Sequence, residues 1–503
     1  MQRRVNSFRS GCWALAWAVL LGAEQAGQPA DVGPPPGDLV AAIEARLVEA
    51  IAAAEKSVVA IARVKKEKPG ERLPAEFRPN PFGRGPLWVP KPTDPDFTPQ
   101  EFASGVVVDA RGLVLTVYHV LGEDSEYFVT TPDRRVFRAK IVGADPRSDL
   151  AVLAPDDDTR FAPGEGTFTP ISLGEAEQLR KGQFVIALGN PFAVARDGQA
   201  SASWGIVANV ARKAPALPQE NEPTGKTTLH HFGTLIQTDA KLNLGTSGGP
   251  LVNLKGQMVG LVTAIPAAIG FEESAGYAIP VDATFRRVVE TLKAGQEVEY
   301  GFLGVEPRNL GLDELARGEQ GVRINRVVPG GPAALAGLRP GDRITHINRV
   351  KVHDADEFVL QVGRLPAAAR VRLGVVRQRE SLDVDVELTK YRVRGKKIVT
   401  APAPAWRGMR VDYASVAEEP GHVGPGPVAI AEGILVSEVE AGSPAWQAGL
   451  RPGMFISHVE GTPVRTPQQF RQAVAGRAGQ VRLRVVGPAL AGQASERIVP
   501  AAG

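Results

Sequence analysis

An internal repeat in the C-terminal part of the chain constrains the fold more than any other feature of the sequence. The stretch GPAALAGLRPGDRITHINRVKV, which begins at Gly331, aligns with GSPAWQAGLRPGMFISHVEGTPV, which begins at Gly442. Pro332 matches Pro444, and the same offset is then kept through the repeat. Two copies of one supersecondary unit predict two similar modules that follow each other in the chain.

Each copy predicts a mixed α and β module. A strand and a short helix lead to the turn AGLRPGD or AGLRPGM, and a further strand precedes the helix in DADEFVLQVGRL or TPQQFRQAV. The segment RGKKIVTAPAPAW between the copies is basic and rich in proline and alanine. This composition predicts a linker that lets the two modules move relative to each other.

The region from Gly105 to Pro280 has a different pattern, with short β-type runs separated by turn residues. Examples are SGVVVDA, LVLTVYHVL, QFVIALGN and GQMVGLVTAI. Many short strands with glycine between them predict an all-β barrel or sandwich pair. Residues 38–54 have apolar residues at helical spacing, and residues 69–99 form a loop rich in proline and glycine. A chain of 503 residues is expected to form about three domains, in agreement with this division.

The N-terminus has the layout of a secretory signal peptide. Arg3, Arg4 and Arg9 precede an apolar run at residues 12–23, which is too short to cross a bilayer comfortably. An uncleaved membrane anchor is the alternative. The only cysteine, Cys12, lies in this run, so the mature chain has no thiol. The formal net charge of +3 gives no indication of nucleic-acid binding. These features predict a periplasmic or secreted protein.

The stretch LGTSGGPL is a candidate for a loop that presents a nucleophilic serine. A serine hydroxyl needs a base, an orienting acid and hydrogen-bond donors for the oxyanion. Gly245, Gly248 and Gly249 permit a tight turn that projects the Ser247 hydroxyl and turns the amides of Gly245 and Ser247 toward one point. A plain glycine-rich turn with a solvated serine is the alternative, and the motif alone does not separate the two.

Two further residues complete a possible constellation. His119 ends one apolar strand, and Asp149 begins another, where a buried carboxylate needs a hydrogen-bond partner. A structural histidine and a strand-start carboxylate are the alternatives, and Asp145 fits the latter role better because proline follows it. The chain order His, Asp, Ser is a known order for a catalytic triad.

His230 and His231 lack metal-type spacing, so we expect solvated side chains there, no metal and no cofactor.

Several stretches of the chain resemble the HtrA (DegP-like) family of trypsin-like serine proteases. They are LTVYHV around His119, SDLAVL around Asp149, ALGNPF, IQTDAKLNLGTSGGPLVN around Ser247, and GYAIPVD. The repeated modules resemble the PDZ domains of that family. The resemblance implies a mainly β fold, with a chymotrypsin-like double β-barrel protease domain followed by two α+β PDZ domains. The expected ranges are 1–30 signal peptide, 31–56 helical segment, 57–298 protease domain, 299–392 first PDZ domain, 393–405 linker and 406–503 second PDZ domain.

The resemblance also implies roles for individual residues. Ser247 would be the nucleophile, His119 the general base and then acid, and Asp149 the group that orients the imidazole. The backbone amides of Gly245 and Ser247 would form the oxyanion hole.

The chain departs from the family pattern near these residues. Thr246 replaces the usual asparagine before the serine, Leu244 replaces proline or a similar residue, and VYH replaces NNH before and at His119. Because backbone amides form the oxyanion hole, we expect Thr246 to be tolerated. The departures motivate an alternative function, a catalytically inert or latent PDZ scaffold or holdase chaperone.

The first module contains a candidate peptide-binding loop, YGFLGV. PDZ domains add a C-terminal peptide as an extra strand and offer loop amides to its carboxylate. The helix predicted at residues 354–365 would complete the groove. In the second module the candidate is WRGMRV, in which Met409 and Arg410 stand in place of the usual apolar and glycine pair, so the first module is the better candidate. Modules that only shape an oligomer or cover the active site are the alternative. The loop residues of the first module are Tyr300, Gly301, Phe302, Leu303, Gly304 and Val305.

The resemblance implies an exported, ATP-independent serine endopeptidase that degrades misfolded or unfolded envelope proteins. Its PDZ domains would capture C-terminal peptides, and cleavage would favour small aliphatic side chains. The family resemblance further implies a homotrimer or a multiple of trimers. A protease that cuts one specific signalling partner remains open.

Overall fold

The structure is a computed structural model that describes residues 36–66, 99, 101–159, 161, 167–190, 198–216, 225–263, 276–417, 429–487 and 494–501. The predicted signal peptide and all but one residue of the predicted loop at 69–99 lie outside this part. The chain divides into two compact units, residues 1–45 and 46–503. Helix α1 (Pro36–Ala54) begins in the first unit, where the side chains of Leu39 and Val40 are exposed. No helix within the described ranges is long and apolar enough to cross a membrane.

Six antiparallel strands close the first barrel of the second unit. Each neighbour pair is hydrogen-bonded, and pairing of the fifth strand with the sixth completes the ring. At residues 136–140 of the fifth strand exposed and buried residues alternate, as expected where one face packs on a core. The strands are β1 (Val58–Lys65), β2 (Glu101–Val107), β3 (Val114–Val117), β4 (Ser125–Thr130), β5 (Val136–Asp145) and β6 (Leu150–Pro155).

A second closed barrel follows, and one hydrophobic cluster joins it to the first. The cluster contains Val106 and Leu115 from the first barrel and Ile186 and Leu261 from the second, all of them buried. The two barrels therefore pack against each other, as the chymotrypsin-like fold requires. The elements are β7 (Phe184–Gly189), β8 (Ser201–Arg212), β9 (Leu235–Thr238), β10 (Pro250–Val252), β11 (Met258–Thr263), β12 (Gly276–Pro280) and helix α2 (Ala283–Lys293).

The two repeated modules have the same topology, which confirms the two predicted α+β modules. Both contain a five-strand path with the same order of pairing, plus one two-residue strand off that path. The first comprises β13 (Gly301–Phe302), β14 (Val305–Asn309), α3 (Leu312–Ala316), β15 (Val322–Val327), α4 (Pro332–Leu335), β16 (Arg343–Ile347), β17 (Val350–Lys351), α5 (Ala355–Gly363), β18 (Arg370–Arg377), β19 (Glu380–Glu387) and β20 (Thr389–Lys390). After β21 (Ile398–Val399), the second comprises β22 (Met409–Tyr413), β23 (Ile434–Val439), α6 (Pro444–Gln447), β24 (Phe455–Val459), β25 (Thr462–Pro463), α7 (Pro467–Val474), β26 (Val481–Val486) and β27 (Ser495–Val499).

The segment between the modules is attached to the first barrel. Strand β21 pairs antiparallel with β5, with Ile398 opposite Ala144. The hydroxyl of Thr400 donates to the carbonyl of Val142 at 2.6 Å. The sequence predicted a linker that lets the two modules move relative to each other. Residues 398 and 399 of this segment instead form a seventh strand of the first sheet, and movement of the modules stays a prediction.

A buried ammonium group joins the end of the protease region to both modules. The side chain of Lys390 is 3% exposed, and its Nζ lies 2.8 Å from Asp412 and 2.9 Å from Glu297. Burial opposes the charged form, but these carboxylates and Glu299 outweigh it and raise the pKa of Lys390. A buried charge is tolerated when it is paired in this way.

Candidate active site

Ser247 lies in a tight turn just before β10, where it is 7% exposed. Gly245 and Gly248 have φ angles of 94° and 84°, which glycine adopts without the steric cost that a Cβ brings. The amide of Gly249 donates to the carbonyl of Thr246 at 2.9 Å and closes the turn. Two of the three glycines that the sequence singled out, Gly245 and Gly248, therefore have the backbone conformation that favours glycine.

The hydroxyl of Thr246, which replaces the family asparagine, also has a defined partner. It donates to the carbonyl of Asn243 at 2.7 Å. Thr246 thus contributes to the turn that carries Ser247.

Ser104 on β2 holds this loop, and sequence reasoning missed it. Its amide donates to the carbonyl of Ser247 at 2.9 Å, and its hydroxyl donates to the carbonyl of Gly245 at 2.7 Å. The amide of Asn190 in turn donates to the Ser104 hydroxyl at 2.8 Å. The serine loop of the second barrel is therefore fixed against a strand of the first.

Space around the loop is equally restricted. A Cβ on Gly248 would lie 2.1 Å from the carbonyl oxygen of Ser104 and 2.3 Å from the Thr116 hydroxyl on β3. Both distances are far inside van der Waals contact. The backbone at Gly248 therefore packs directly on β2 and on β3. Strand β3 is the one that leads to His119.

His119 and Asp149 form a hydrogen-bonded pair. The Nδ1 atom of His119, in the short helical turn Tyr118–Val120 after β3, lies 2.9 Å and 3.1 Å from the two carboxylate oxygens. The backbone amide of His119 donates to the same carboxylate at 3.0 Å, and the hydroxyl of Thr263 donates to it at 3.2 Å. The carboxylate therefore has the partners that its burial demands. Thr263 gave no signal in the sequence.

Asp149 has a strained backbone. Its φ angle is 57°, a region that costs roughly 1–2 kcal/mol for a residue with a Cβ. Its carbonyl accepts a hydrogen bond from the amide of Tyr118 at 2.9 Å, so main chain and side chain both bind the His119 turn. The surrounding contacts hold a conformation that aims the carboxylate at the imidazole.

The electrostatics of the pair favour a charged imidazole. Partial burial opposes the cation, but the hydrogen bond and the negative charge of Asp149 outweigh it and raise the pKa of His119 above its usual value. The side chain of His119 remains 40% exposed. Its ring is thus both oriented and accessible.

The serine loop meets this pair through β11. The amide of Gly248 donates to the carbonyl of Val262 at 2.8 Å, and the next residue is Thr263, which binds Asp149. His119 and Asp149 belong to the first barrel and Ser247 to the second. The packing of the two barrels brings the segments that carry all three residues to one region.

Asp145 and His230 brace the turn that carries Asp149. The carboxylate of Asp145 accepts hydrogen bonds from the amide and hydroxyl of Ser148 and from the hydroxyl of Tyr300. The Nε2 atom of His230 lies 2.9 Å from the carbonyl of Ser148. The prediction of a solvated side chain is wrong for His230, since it is 7% exposed and fully hydrogen-bonded.

Within the described residues no cluster of His, Cys, Asp and Glu is arranged to hold a metal.

Tyr118, the central residue of the unusual VYH stretch, contacts the segment between the modules. Its hydroxyl donates to the carbonyl of Lys396 at 3.1 Å. The departure from the family pattern therefore accompanies the docking of this segment on the first barrel.

In the candidate peptide loop of the first module, Gly304 has φ 79°, and its carbonyl accepts from the amide of Val328 at 2.8 Å. The carbonyl of Leu303 accepts from the amide of Ala333 at 2.9 Å. Tyr300 is fully buried with its hydroxyl on Asp145, so its side chain belongs to the interior.

The remaining three loop residues have different surroundings. Gly301 donates its amide to the carbonyl of Leu365 at 2.7 Å, so that amide is already engaged. Phe302 and Val305 are half-buried.

The second module repeats the hydrogen bonds of this loop. Gly408 also has φ 79°, and its carbonyl accepts from Glu440 at 2.8 Å. The carbonyl of Arg407 accepts from Ala445. Arg407 and Gly408 therefore correspond to Leu303 and Gly304 of the first module, and the glycine is kept. The sequence alignment that put Met409 and Arg410 in these positions is wrong by two residues.

Comparisons with known proteins agree with this architecture. Residues 103–261 match the trypsin-like peptidase domain, and residues 301–388 and 435–486 match PDZ domains. A probable periplasmic serine endoprotease, DegP-like, of Hahella chejuensis is 32% identical over 384 residues, which cover 75% of this chain and 75% of that protein. The chain belongs to the DegP-like family of HtrA-type serine endoproteases.

Other members of the DegP-like family are similar over much of the chain. The periplasmic pH-dependent serine endoprotease DegQ of Escherichia coli is 29% identical over 86% of this chain and 88% of its own length. The solved structure of the HtrA-type protease AlgW with tripeptide has a TM-score of 0.50 at 27% identity, over 68% of this chain and 96% of that one. This DegP-like protein is thus a serine endopeptidase of the periplasm, and the predicted fold class and family are confirmed.

Proposed function

We propose that Ser247 is the nucleophile of this DegP-like protein, His119 its general base and Asp149 the residue that orients the imidazole. The observation that carries the proposal is the double contact of Asp149 with Nδ1 and the backbone amide of His119. With a proton on Nδ1 held by the carboxylate, Nε2 is the acceptor that removes the hydroxyl proton from Ser247. A positioned base of this kind contributes about 10²–10⁴ in rate.

The proposal includes an oxyanion hole made by the amides of Gly245 and Ser247. Its support is the rigid turn, in which Ser104 holds the carbonyls of both residues. Backbone donors that are already oriented stabilise the tetrahedral intermediate without reorganisation, and loss of one donor costs about 3–4 kcal/mol. After acylation, protonated His119 gives its proton to the leaving amine, and the same groups then activate water.

We infer that the substrates are unfolded or misfolded envelope proteins and that the PDZ modules capture their C-termini. Strand β14 pairs only with β15 among the described strands, and helix α5 packs near it, as β-strand addition of a peptide requires. Gly304 and Val305 are the residues of the first loop best placed to offer amides to a carboxylate. The same proposal includes assembly as a homotrimer or a multiple of trimers. It also includes the predicted domain ranges, with cleavage of segment 1–30.

Degradation of unfolded casein by the purified mature protein tests this function. We expect Ser247→Ala to abolish degradation while the circular dichroism spectrum stays unchanged. Retained degradation by this variant would refute the assignment of the nucleophile. Absence of activity in the wild type, together with suppression of casein aggregation, would favour the holdase alternative. N-terminal sequencing and light scattering of the mature protein test the cleavage site and the oligomeric state.

A further inference from the structure

A cavity of about 290 Å³ borders the Ser247 loop. Residues of that loop form one wall, and residues of β1, β2 and the turn that contains His119 form the other described parts of the lining. Most of the lining that the structure describes is apolar. The lining residues are Ile61, Arg63, Glu101, Phe102, Ala103, Val120, Leu244 and Gly245.

Leu244 makes the apolar lining continuous with the surface. Its side chain is 70% exposed, whereas Ile61 and Ala103 at the cavity floor are 2% and 3% exposed. A single exposed leucine is common on protein surfaces and by itself carries no meaning. Here, however, it directly precedes Gly245 and extends an apolar floor that the sheet has already formed.

Both charged residues in the described lining of the cavity are already engaged. Arg63 and Glu101 form an ion pair, and the guanidinium of Arg63 also donates to the carbonyl of Val120 at 3.2 Å. Neither charge is therefore available as the main partner of a charged ligand. An apolar cavity with a few fixed polar groups at its edge is typical of a site for an apolar side chain.

The wall formed by Phe102 is fixed against the loop. A Cβ on Gly245 would lie 2.6 Å from the ring of Phe102, so the ring packs directly on this glycine. The φ angle of 94° at Gly245 places its backbone in the region that favours glycine. The cavity is thus bounded by the same backbone that we propose as an oxyanion donor.

The position of the cavity identifies the part of the substrate that it faces. In acyl transfer by a Ser-His-Asp triad the imidazole protonates the leaving amine, so the residues after the scissile bond pass beside the histidine. Val120 directly follows His119, and Ser104 on β2, next to Ala103, holds the carbonyl of Ser247. Because these neighbours place the cavity beside the imidazole and the serine loop, the mechanism assigns it to the leaving-group side of the proposed nucleophile.

We propose that this cavity is a specificity subsite for a large apolar side chain at one of the first two positions after the scissile bond, with Leu244 as its outer wall. The proposal rests on the proposed protease function and names a feature of its substrates. It also gives a role to the leucine that distinguishes this chain from the family pattern.

Peptide cleavage tests the subsite. Internally quenched peptides carry leucine or glycine at the first or the second position after the scissile bond and are otherwise identical. For the better position we expect kcat/KM of the wild type to be about tenfold or more higher with leucine, as typical for an apolar pocket. Leu244→Ala is expected to reduce this ratio several-fold. A ratio measured within one enzyme cancels any general loss of activity.

Leu312→Ala, which removes another exposed leucine on α3 in the first PDZ module, is the matched control and should keep the wild-type ratio. A wild-type ratio near one at both positions, or an unchanged ratio in Leu244→Ala, would overturn the subsite. Absence of all cleavage and of fluorophosphonate labelling at Ser247 would instead overturn the proposed function on which the subsite rests.

Discussion

The hydroxyl of Tyr300, at the start of the first PDZ module, donates a hydrogen bond to the buried carboxylate of Asp145 on the protease barrel. Asp145 also binds Ser148, and the next residue is Asp149. This hydrogen bond thus links the start of the PDZ module to the turn that orients the imidazole. The sequence analysis had placed Tyr300 in a candidate peptide-binding loop, but its buried side chain makes this contact with the protease barrel instead.

Replacement of Tyr300 by phenylalanine tests this link. The change leaves the ring packed but removes a donor to a buried carboxylate, which typically costs about 1–3 kcal/mol. Burial raises the pKa of Asp145 and the Tyr300 hydroxyl opposes that rise, so its loss should raise the pKa further. We expect a lower thermal midpoint and a several-fold lower kcat/KM. Tyr413→Phe, at a buried tyrosine of the second module, is the control. Equal effects of the two changes would contradict a special link to the active site.

The acid limb of the pH profile tests the His119–Asp149 pair. A general base must be neutral, so kcat/KM falls when the pH falls through the pKa of His119. Because Asp149 outweighs partial burial and raises that pKa, we expect the inflection above 6.5. Asp149→Asn should lower kcat by about 10⁴, since the amide favours the wrong imidazole tautomer. An inflection below 6.5 in the wild type would contradict the geometry of the pair.

His230 predicts a loss of stability in acid. Burial lowers its pKa below 6.5 in the folded protein, whereas the unfolded chain binds a proton near that value. Unfolding therefore takes up protons below pH 6.5, and the free energy of unfolding should fall as the pH falls from 6.5 toward the lowered pKa. Denaturant unfolding at pH 7.5 and 5.5 measures this change. We expect His230→Gln to lose less stability on acidification than the wild type, while the exposed control His353→Gln behaves like the wild type. Identical pH dependence in all three proteins would refute this role.

The buried ammonium of Lys390 predicts a large cost for its removal. Lys390→Met leaves Asp412 and Glu297 without their buried partner, a change that typically costs about 3–5 kcal/mol. We expect a fall of several degrees in the thermal midpoint. Lys140→Met removes a surface ion pair with Asp157 and should cost about 1 kcal/mol or less. A smaller effect at Lys390 than at Lys140 would contradict the structural importance of the cluster.

The sequence predicted those features that depend on local pattern or chain order. The repeat beginning at Gly331 and Gly442 predicted two similar modules, and the two modules have the same topology. The short strands predicted a β-barrel or sandwich pair, and they form two barrels. His119 and Asp149 are hydrogen-bonded to each other, and the catalytic roles assigned to them stay a prediction. Two of the glycines around Ser247, Gly245 and Gly248, have positive φ angles, in agreement with the predicted tight turn.

Tertiary contacts account for what the sequence did not reveal. Ser104 and Thr263 are ordinary strand residues whose importance arises only when the two barrels meet. Strand β21 is two residues long and pairs with the edge of β5, a contact that the composition of the segment did not indicate. The burial of His230 likewise depends on the distant carbonyl of Ser148.

Site-mapped labelling of the mature protein with a fluorophosphonate tests the central claim most directly, because the reagent modifies only an activated serine hydroxyl. We predict a single adduct at Ser247, formed far more slowly in His119→Ala and in Asp149→Asn. An adduct at another serine, or an equal rate of labelling at Ser247 in His119→Ala, would contradict the account.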